Sequence, residues 1–218
     1  GKPKNFPKKF IIIYWDKIIN SFKKKYHPKK IKLNALLSIY QYKDIGVAYL
    51  RGFGCPCAVC AMEDLIAKGG KIFLNIGTAG GLRQEGIFLC EKALRDEGTS
   101  YHYAPHGEYS YPDKQLTEKL AKSLEKQRLN YKRGINWTID APYRETKAEI
   151  KKYSKQGIST VEMEASALFV LAKYRKVKIA SAFIVSDTLI KKRKVIHHRT
   201  DFKKDLNKLM DAGVECLR

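Results

Sequence analysis

Short apolar runs alternate with segments of helical periodicity along most of this chain. Residues 10–15 form one such run, followed by a helical pattern to about residue 26; residues 45–50 precede a helix over 56–68; residues 72–76 lead into a glycine loop. A β-rich middle over 86–103 and a polar loop through Tyr111 come next. The pattern then predicts a helix over 113–127, an apolar run at 134–139, a helix over 144–153, a helix that includes Glu162, a strand over 177–185 and an amphipathic closing helix from 201. Strands joined by crossover helices predict an α/β fold: one domain over residues 1–218, with a parallel or mixed sheet covered by helices on both faces.

One segment breaks the apolar pattern in an informative way. Residues 159–169, Ser-Thr-Val-Glu-Met-Glu-Ala-Ser-Ala-Leu-Phe, place two carboxylates in a stretch whose apolar positions Val161, Ala165, Leu168, Phe169 and Ala172 recur at helical spacing. The spacing predicts a buried helix with Met163 and Glu164 in its first turn. An unpaired buried charge costs several kcal/mol or is neutralised by protonation. Glu164 is therefore expected either to cap local N–H groups or to face a polar ligand.

Length and composition narrow the class. With 218 residues and 44% hydrophobic content, the chain can bury a full core. No run approaches the roughly 20 apolar residues of a membrane-spanning helix, and the lysine-rich start does not resemble a secretory signal, so a cytoplasmic location is expected. The net charge of +21 is unevenly spread: residues 1–43 hold twelve lysines against Asp16 alone. That basic N-terminal portion reads as a solvated lysine-rich face rather than a nucleic-acid site, because its charge runs lack interleaved aromatic platforms. Among five cysteines, Cys57 and Cys60 form a C-x-x-C, but no second pair follows at ligand spacing and the odd count argues against a disulfide framework. No metal is expected.

Ligands of open α/β sheets bind beyond the carboxyl ends of strands, which directs attention to three places. Arg51-Gly52-Phe53-Gly54-Cys55-Pro56 follows an apolar run and opens a helix, so its N–H groups suit an anion. Asn75-Ile76-Gly77-Thr78-Ala79-Gly80-Gly81 adds backbone donors and the Thr78 hydroxyl. Val185-Ser186-Asp187 ends the 177–185 strand with a carboxylate. Singly, each is as compatible with a turn as with a site.

Taken in order, Gly52 to Pro56, Ile76 to Gly81, Val161-Glu162-Met163-Glu164-Ala165 and Val185 to Asp187 resemble the nucleoside phosphorylase-I family, which includes purine nucleoside phosphorylases, uridine phosphorylases and related nucleosidases. The resemblance runs from about residue 45 to 190, leaving residues 1–43 divergent. It implies a single domain with a mixed, partly barrel-like sheet and an active site near subunit contacts in homo-oligomers, dimers or hexamers. It also implies cleavage of an N-glycosidic bond with inorganic phosphate as co-substrate and without a cofactor. By motif position, Glu164 and Met163 would hold the ribose, and Asp187 would protonate or hydrogen-bond a purine. Ala79, Gly80, Val161 and Tyr143 would border the base, and Gly54, Gly77 and Thr78 would hold phosphate. Asp187 and Glu164 would be the catalytic pair. Thr146 and Ala148, where uridine phosphorylases usually carry glutamine and arginine, tilt the base toward a purine.

Two departures stand out. Asn75 occupies a position where many relatives carry an arginine, and the chain runs from 10–15 directly into Asp16-Lys17-Ile18 with no Gly-Asp-Pro-x-Arg loop. An amide does not replace a bidentate guanidinium. Lys17, Arg51 or a neighbouring subunit are the candidate substitutes. A nucleosidase using water or a uridine phosphorylase is the nearest alternative, and a catalytically weakened nucleoside-binding or storage protein is the alternative of another class.

Overall fold

The computed structural model describes residues 6–189, 194–195 and 200–218. In chain order the elements are β1 (Lys9–Ile13), α1 (Asp16–Tyr26), β2 (Lys29–Lys32), β3 (Leu37–Tyr42), β4 (Ile45–Leu50), α2 (Cys55–Ala67) and β5 (Ile72–Gly81). They continue with β6 (Ile87–Asp96), β7 (Tyr109–Ser110), α3 (Lys114–Lys126), β8 (Tyr131–Ile139), α4 (Lys147–Lys155), β9 (Ile158–Glu162), α5 (Ala165–Arg175), β10 (Lys178–Thr188), β11 (Lys194–Val195) and α6 (Thr200–Leu217). The mixed α/β fold expected from the alternating pattern is present, and among the described residues no helix is long and apolar enough to cross a membrane.

The central strands are apolar on both sides because both sides are covered. In β1, Ile11 and Ile13 enter one core layer with α1, α3 and α6, while Phe10 and Ile12 enter the other with α2 and α5. Full burial of each such side chain stabilises by about 1.5–3 kcal/mol. Helix α5 is buried along its whole first half, Ala165 to Ala172, so it lacks the polar face of a surface helix. Local signals set the starts of α3 and α4: the Asp113 carboxylate accepts from Leu116 N at 2.8 Å, and Thr146 and Glu149 form a capping box.

The sheet closes on itself. Strand β5 pairs with β10 along its length, with β1 along its first half and with β9 at its end, so that β5, β10, β6, β8 and β9 form a ring. Strands β4, β3 and β2 extend outward from β1. Closure occurs where Gly80 faces Val161 and Gly81 faces Thr160. A Cβ on Gly80 would lie 3.1 Å from Val161 Cγ1, and one on Gly81 would lie 2.2 Å from the Gln84 carbonyl oxygen. These glycines permit a backbone approach that no larger residue allows.

Three local expectations are corrected. Residues 77–81 are the second half of β5, not a loop, and Val185 to Asp187 lie inside β10 rather than after it. Residues 158–162 are a strand and the helix begins at Ala165; the β-branched Ile158, Thr160 and Val161 favour the strand, and the apolar spacing that continues into the helix concealed the break. The lysine-rich segment 29–32 forms β2, an outer strand whose charges discourage pairing with other chains.

Replacing Gly81 by alanine is expected to lower stability by about 1–3 kcal/mol through overpacking at the closure. Urea unfolding of both proteins measures this, and an unchanged midpoint would refute the closure argument.

Candidate functional site

A buried carboxylate organises the turn between β9 and α5. Glu162 Oε1 accepts from Asn136 Nδ2 and Thr138 Oγ1, each at 2.6 Å, and its Oε2 accepts from Glu164 N and Ala165 N, each at 2.8 Å. Four donors offset the loss of water, and the two N–H groups belong to the start of α5, where the helix dipole favours negative charge. Glu162 therefore takes the capping role. Burial pushes its carboxyl upward and these hydrogen bonds oppose that shift.

Beneath it the polar contacts continue. Thr160 Oγ1 donates to Asn136 Oδ1 at 2.9 Å, Ser166 N donates to Thr138 Oγ1 at 3.0 Å, and Ser166 Oγ donates to Glu97 Oε1 at 2.8 Å. Cys55 Sγ, a Glu97 oxygen and an Asp140 oxygen lie within 4.8 Å of one another. Each is engaged locally: Cys55 donates to the Met163 carbonyl, Glu97 accepts from Ser100 N, and Asp140 accepts from Gly98 N.

With Glu162 committed to the helix, Glu164 is left for a different task. It occupies the N-cap position of α5, yet its side chain makes no capping bond; instead Oε1 accepts from Gly54 N at 2.6 Å. Gly54 has φ of 90°, a conformation that favours glycine, and its N–H is directed at Glu164. Glu164 is 8% exposed, and burial, followed by the neighbouring Glu162 charge, raises its carboxyl to about 8.

Glu164, Glu162 and Met163 line a cleft of about 140 Å³ together with Gly77 and Thr78 from β5, Phe183 from β10, and Tyr14 and Trp15 from the end of β1. Among the described residues, no lysine, arginine or histidine lines it. The Tyr14 hydroxyl donates to Asn75 Oδ1 at 2.9 Å, and burial with the two glutamates nearby raises that phenol well above its ordinary range. Arg51 turns elsewhere, donating to Ala35 O and Ser38 Oγ, and Lys17 is exposed.

The residues singled out from the sequence are thus only partly gathered. Gly77, Thr78, Met163 and Glu164 share the cleft, and Gly54 reaches it through Glu164. Ala79, Gly80, Val161 and Asp187 lie one strand-step further along, where Ala79 pairs with Val185 and Gly80 with both Asp187 and Val161. Asp187 is nearly buried and accepts from Ser186 Oγ at 2.9 Å. Tyr143, on a short turn after β8, is fully exposed and does not line the cleft. Tyr14, Trp15 and Phe183 were not anticipated; for the first two the available signal was position, at the carboxyl end of a central strand.

Known proteins resemble this chain along most of its length. The family model described as the Phosphorylase superfamily matches residues 25–217. A purine nucleoside phosphorylase of Plasmodium vivax is 28% identical over 143 residues, covering 62% of this chain and 58% of that protein. A uridine phosphorylase of Treponema pallidum is 30% identical over 149 residues, covering 62% and 58%. The chain therefore spans somewhat under two thirds of these relatives' length. In fold, the P. knowlesi homolog of P. falciparum PNP superposes with a TM-score of 0.82 at 21% identity, covering 100% of this chain and 91% of that one.

Glu164 also makes stability depend on pH. Its folded-state value of about 8 lies above the ordinary 4.5, so its protonation stabilises the fold fully below about pH 4.5, and that contribution is lost as pH rises through about 8. Wild-type stability in urea is expected to fall between about pH 4.5 and 8, whereas Glu164→Gln flattens that slope. A slope as steep in the variant as in the wild type would remove Glu164 as its source.

Proposed function

Since the chain belongs to the phosphorylase superfamily, we propose that it cleaves the N-glycosidic bond of a nucleoside, purine preferred, with phosphate as acceptor, releasing base and ribose 1-phosphate. The observation that carries this reading is the convergence of Thr78, Met163 and a buried, uncapping Glu164 on one cleft. Breaking this bond builds positive charge on the ribose and negative charge on the base, so the site needs a sugar clamp, an acid and a nucleophile. In this reading the ionised Glu164 accepts from the ribose hydroxyls, Met163 packs on the sugar and Thr78 with the Gly77 N–H holds the nucleophile. Asp187, near Ala79, Gly80 and Val161, donates to the departing base. Fixed positions for these groups contribute by orienting the reactants before reaction.

A second reading, hydrolysis by water, is favoured by one specific observation. The described walls of the cleft carry two carboxyls and aromatic rings but no cation, and Asn75 is bonded to Tyr14. Water needs no charge complement, whereas phosphate does.

Incubating a nucleoside panel with and without phosphate, and separating free base from nucleoside, tests both readings. Base release only with phosphate supports the phosphorylase; release without it supports the nucleosidase. Binding without release supports a nucleoside-binding protein, and neither binding nor release refutes all three. Asp187→Asn is expected to lower purine turnover about a hundredfold or more, with a smaller change in binding. Unchanged turnover would remove Asp187 from the acid role. Because the ribose clamp requires ionised Glu164, nucleoside affinity is expected to rise with pH toward about 8, as titration calorimetry would measure, and to lose that dependence in Glu164→Gln.

A further inference from the structure

The C-x-x-C that the proposed chemistry leaves unused lies on the first turns of α2. Helix α2 begins at Cys55, so Cys57 and Cys60 stand three residues apart on one helical face, where Cβ atoms are about 5–6 Å apart. The other thiols are placed differently. Cys55 is buried and donates to the Met163 carbonyl, while Cys90 and Cys216 are buried elsewhere in the fold. Cys60 is exposed and Cys57 half-buried, so this pair is open to a reagent from solvent.

Cys57 also touches the turn that supports the cleft. A Cβ on Gly52 would lie 2.6 Å from Cys57 Sγ, so the sulfur sits directly against the Gly52 backbone, two residues before the Gly54 N–H that donates to Glu164. A disulfide requires its Cβ atoms about 3.5–4.5 Å apart, closer than a regular helical turn holds them. Closing the bond must rewind the first turn of α2 and shift Cys57 relative to Gly52.

We propose that Cys57 and Cys60 form a reversible disulfide that disturbs the Gly54–Glu164 hydrogen bond and so weakens the site. The oxidant is a low-molecular-weight disulfide. The exposed Cys60 thiolate attacks one of its sulfurs, forming a mixed disulfide and expelling one thiolate. Cys57 then gives its proton to solvent base and attacks the Cys60 sulfur, expelling the second thiolate. Two protein thiols are oxidised, one external disulfide is reduced to two thiols, and external thiol reverses the exchange. Burial pushes the Cys57 thiol up, with Cys60 and Glu164 adding to the shift, which leaves the first attack to the exposed Cys60.

The test treats the purified chain with oxidised glutathione, followed by intact mass, peptide mapping and amide exchange. The expected result is loss of two hydrogens mapped to Cys57 and Cys60, faster exchange at the Gly54 amide, and reversal by dithiothreitol. In Cys57→Ser the glutathione adduct should persist on Cys60, and in Cys60→Ser neither the disulfide nor the exchange change should appear. A persistent adduct in the wild type, or equal oxidation of Cys60→Ser, overturns the pairing. A mapped disulfide with unaltered Gly54 exchange overturns the coupling to the site. The expected loss of nucleoside affinity, about tenfold for a hydrogen bond to a charged group, rests on the proposed function. The mass and exchange readouts need no nucleoside and stand apart from it.

Discussion

A carboxylate without an ion-pair partner among the described residues is a costly object to bury, and Glu162 is held at that depth by four donors from two elements. Asn136 and Thr138 come from β8, and two N–H groups come from the start of α5. Losing any donor would leave part of the desolvation cost uncompensated. This constraint fixes where β9 stops and α5 starts, and therefore where the next carboxylate points. Glu164 cannot cap the helix because Glu162 already does; it turns to Gly54 and lies beside an existing charge. Burial raises the Glu164 carboxyl, and the neighbouring Glu162, held in place by its structural role, adds to that rise.

The second constraint is steric. The ring of strands closes only where backbones come close enough for β5 to change partners from β1 to β9, and Gly80 and Gly81 occupy that point. The same closure brings the carboxyl ends of β1 and β5, Phe183 of β10 and the turn before α5 around one small cleft. Packing, not local sequence, sets its floor: Phe183 contributes to a core layer and to the cleft wall at once.

Where one signal dominated, the elements were readable in the sequence. Helix α3 has an aspartate cap and a clear apolar stripe, and β4 is a plain apolar run bounded by polar residues. Where two signals competed, the local reading failed. Glycines at 77–81 resemble a loop because glycine usually marks turns, but here it permits close approach within a strand. Val161 and Ala165 are four residues apart, which imitates a helical face, although the first lies in β9 and the second opens α5. In β2 the lysines hid a strand whose pairing is carried by backbone groups and requires no apolar side chain.

The sequence by itself determined the α/β class, the order of glycine-rich and acidic motifs that carries the family resemblance, and the prominence of Glu164 as a charge in an apolar setting. These are legible because propensity, periodicity and the cost of burying charge act over a few residues. Only the tertiary structure decided which glutamate caps the helix and which is held by the Gly54 turn, since that depends on donors such as Asn136 and Gly54, 26 and 110 residues away from the carboxylates they serve. It likewise decided that Tyr14, Trp15 and Phe183 form the remaining walls. Contacts between distant segments leave no local periodicity; they exist only once the sheet has closed.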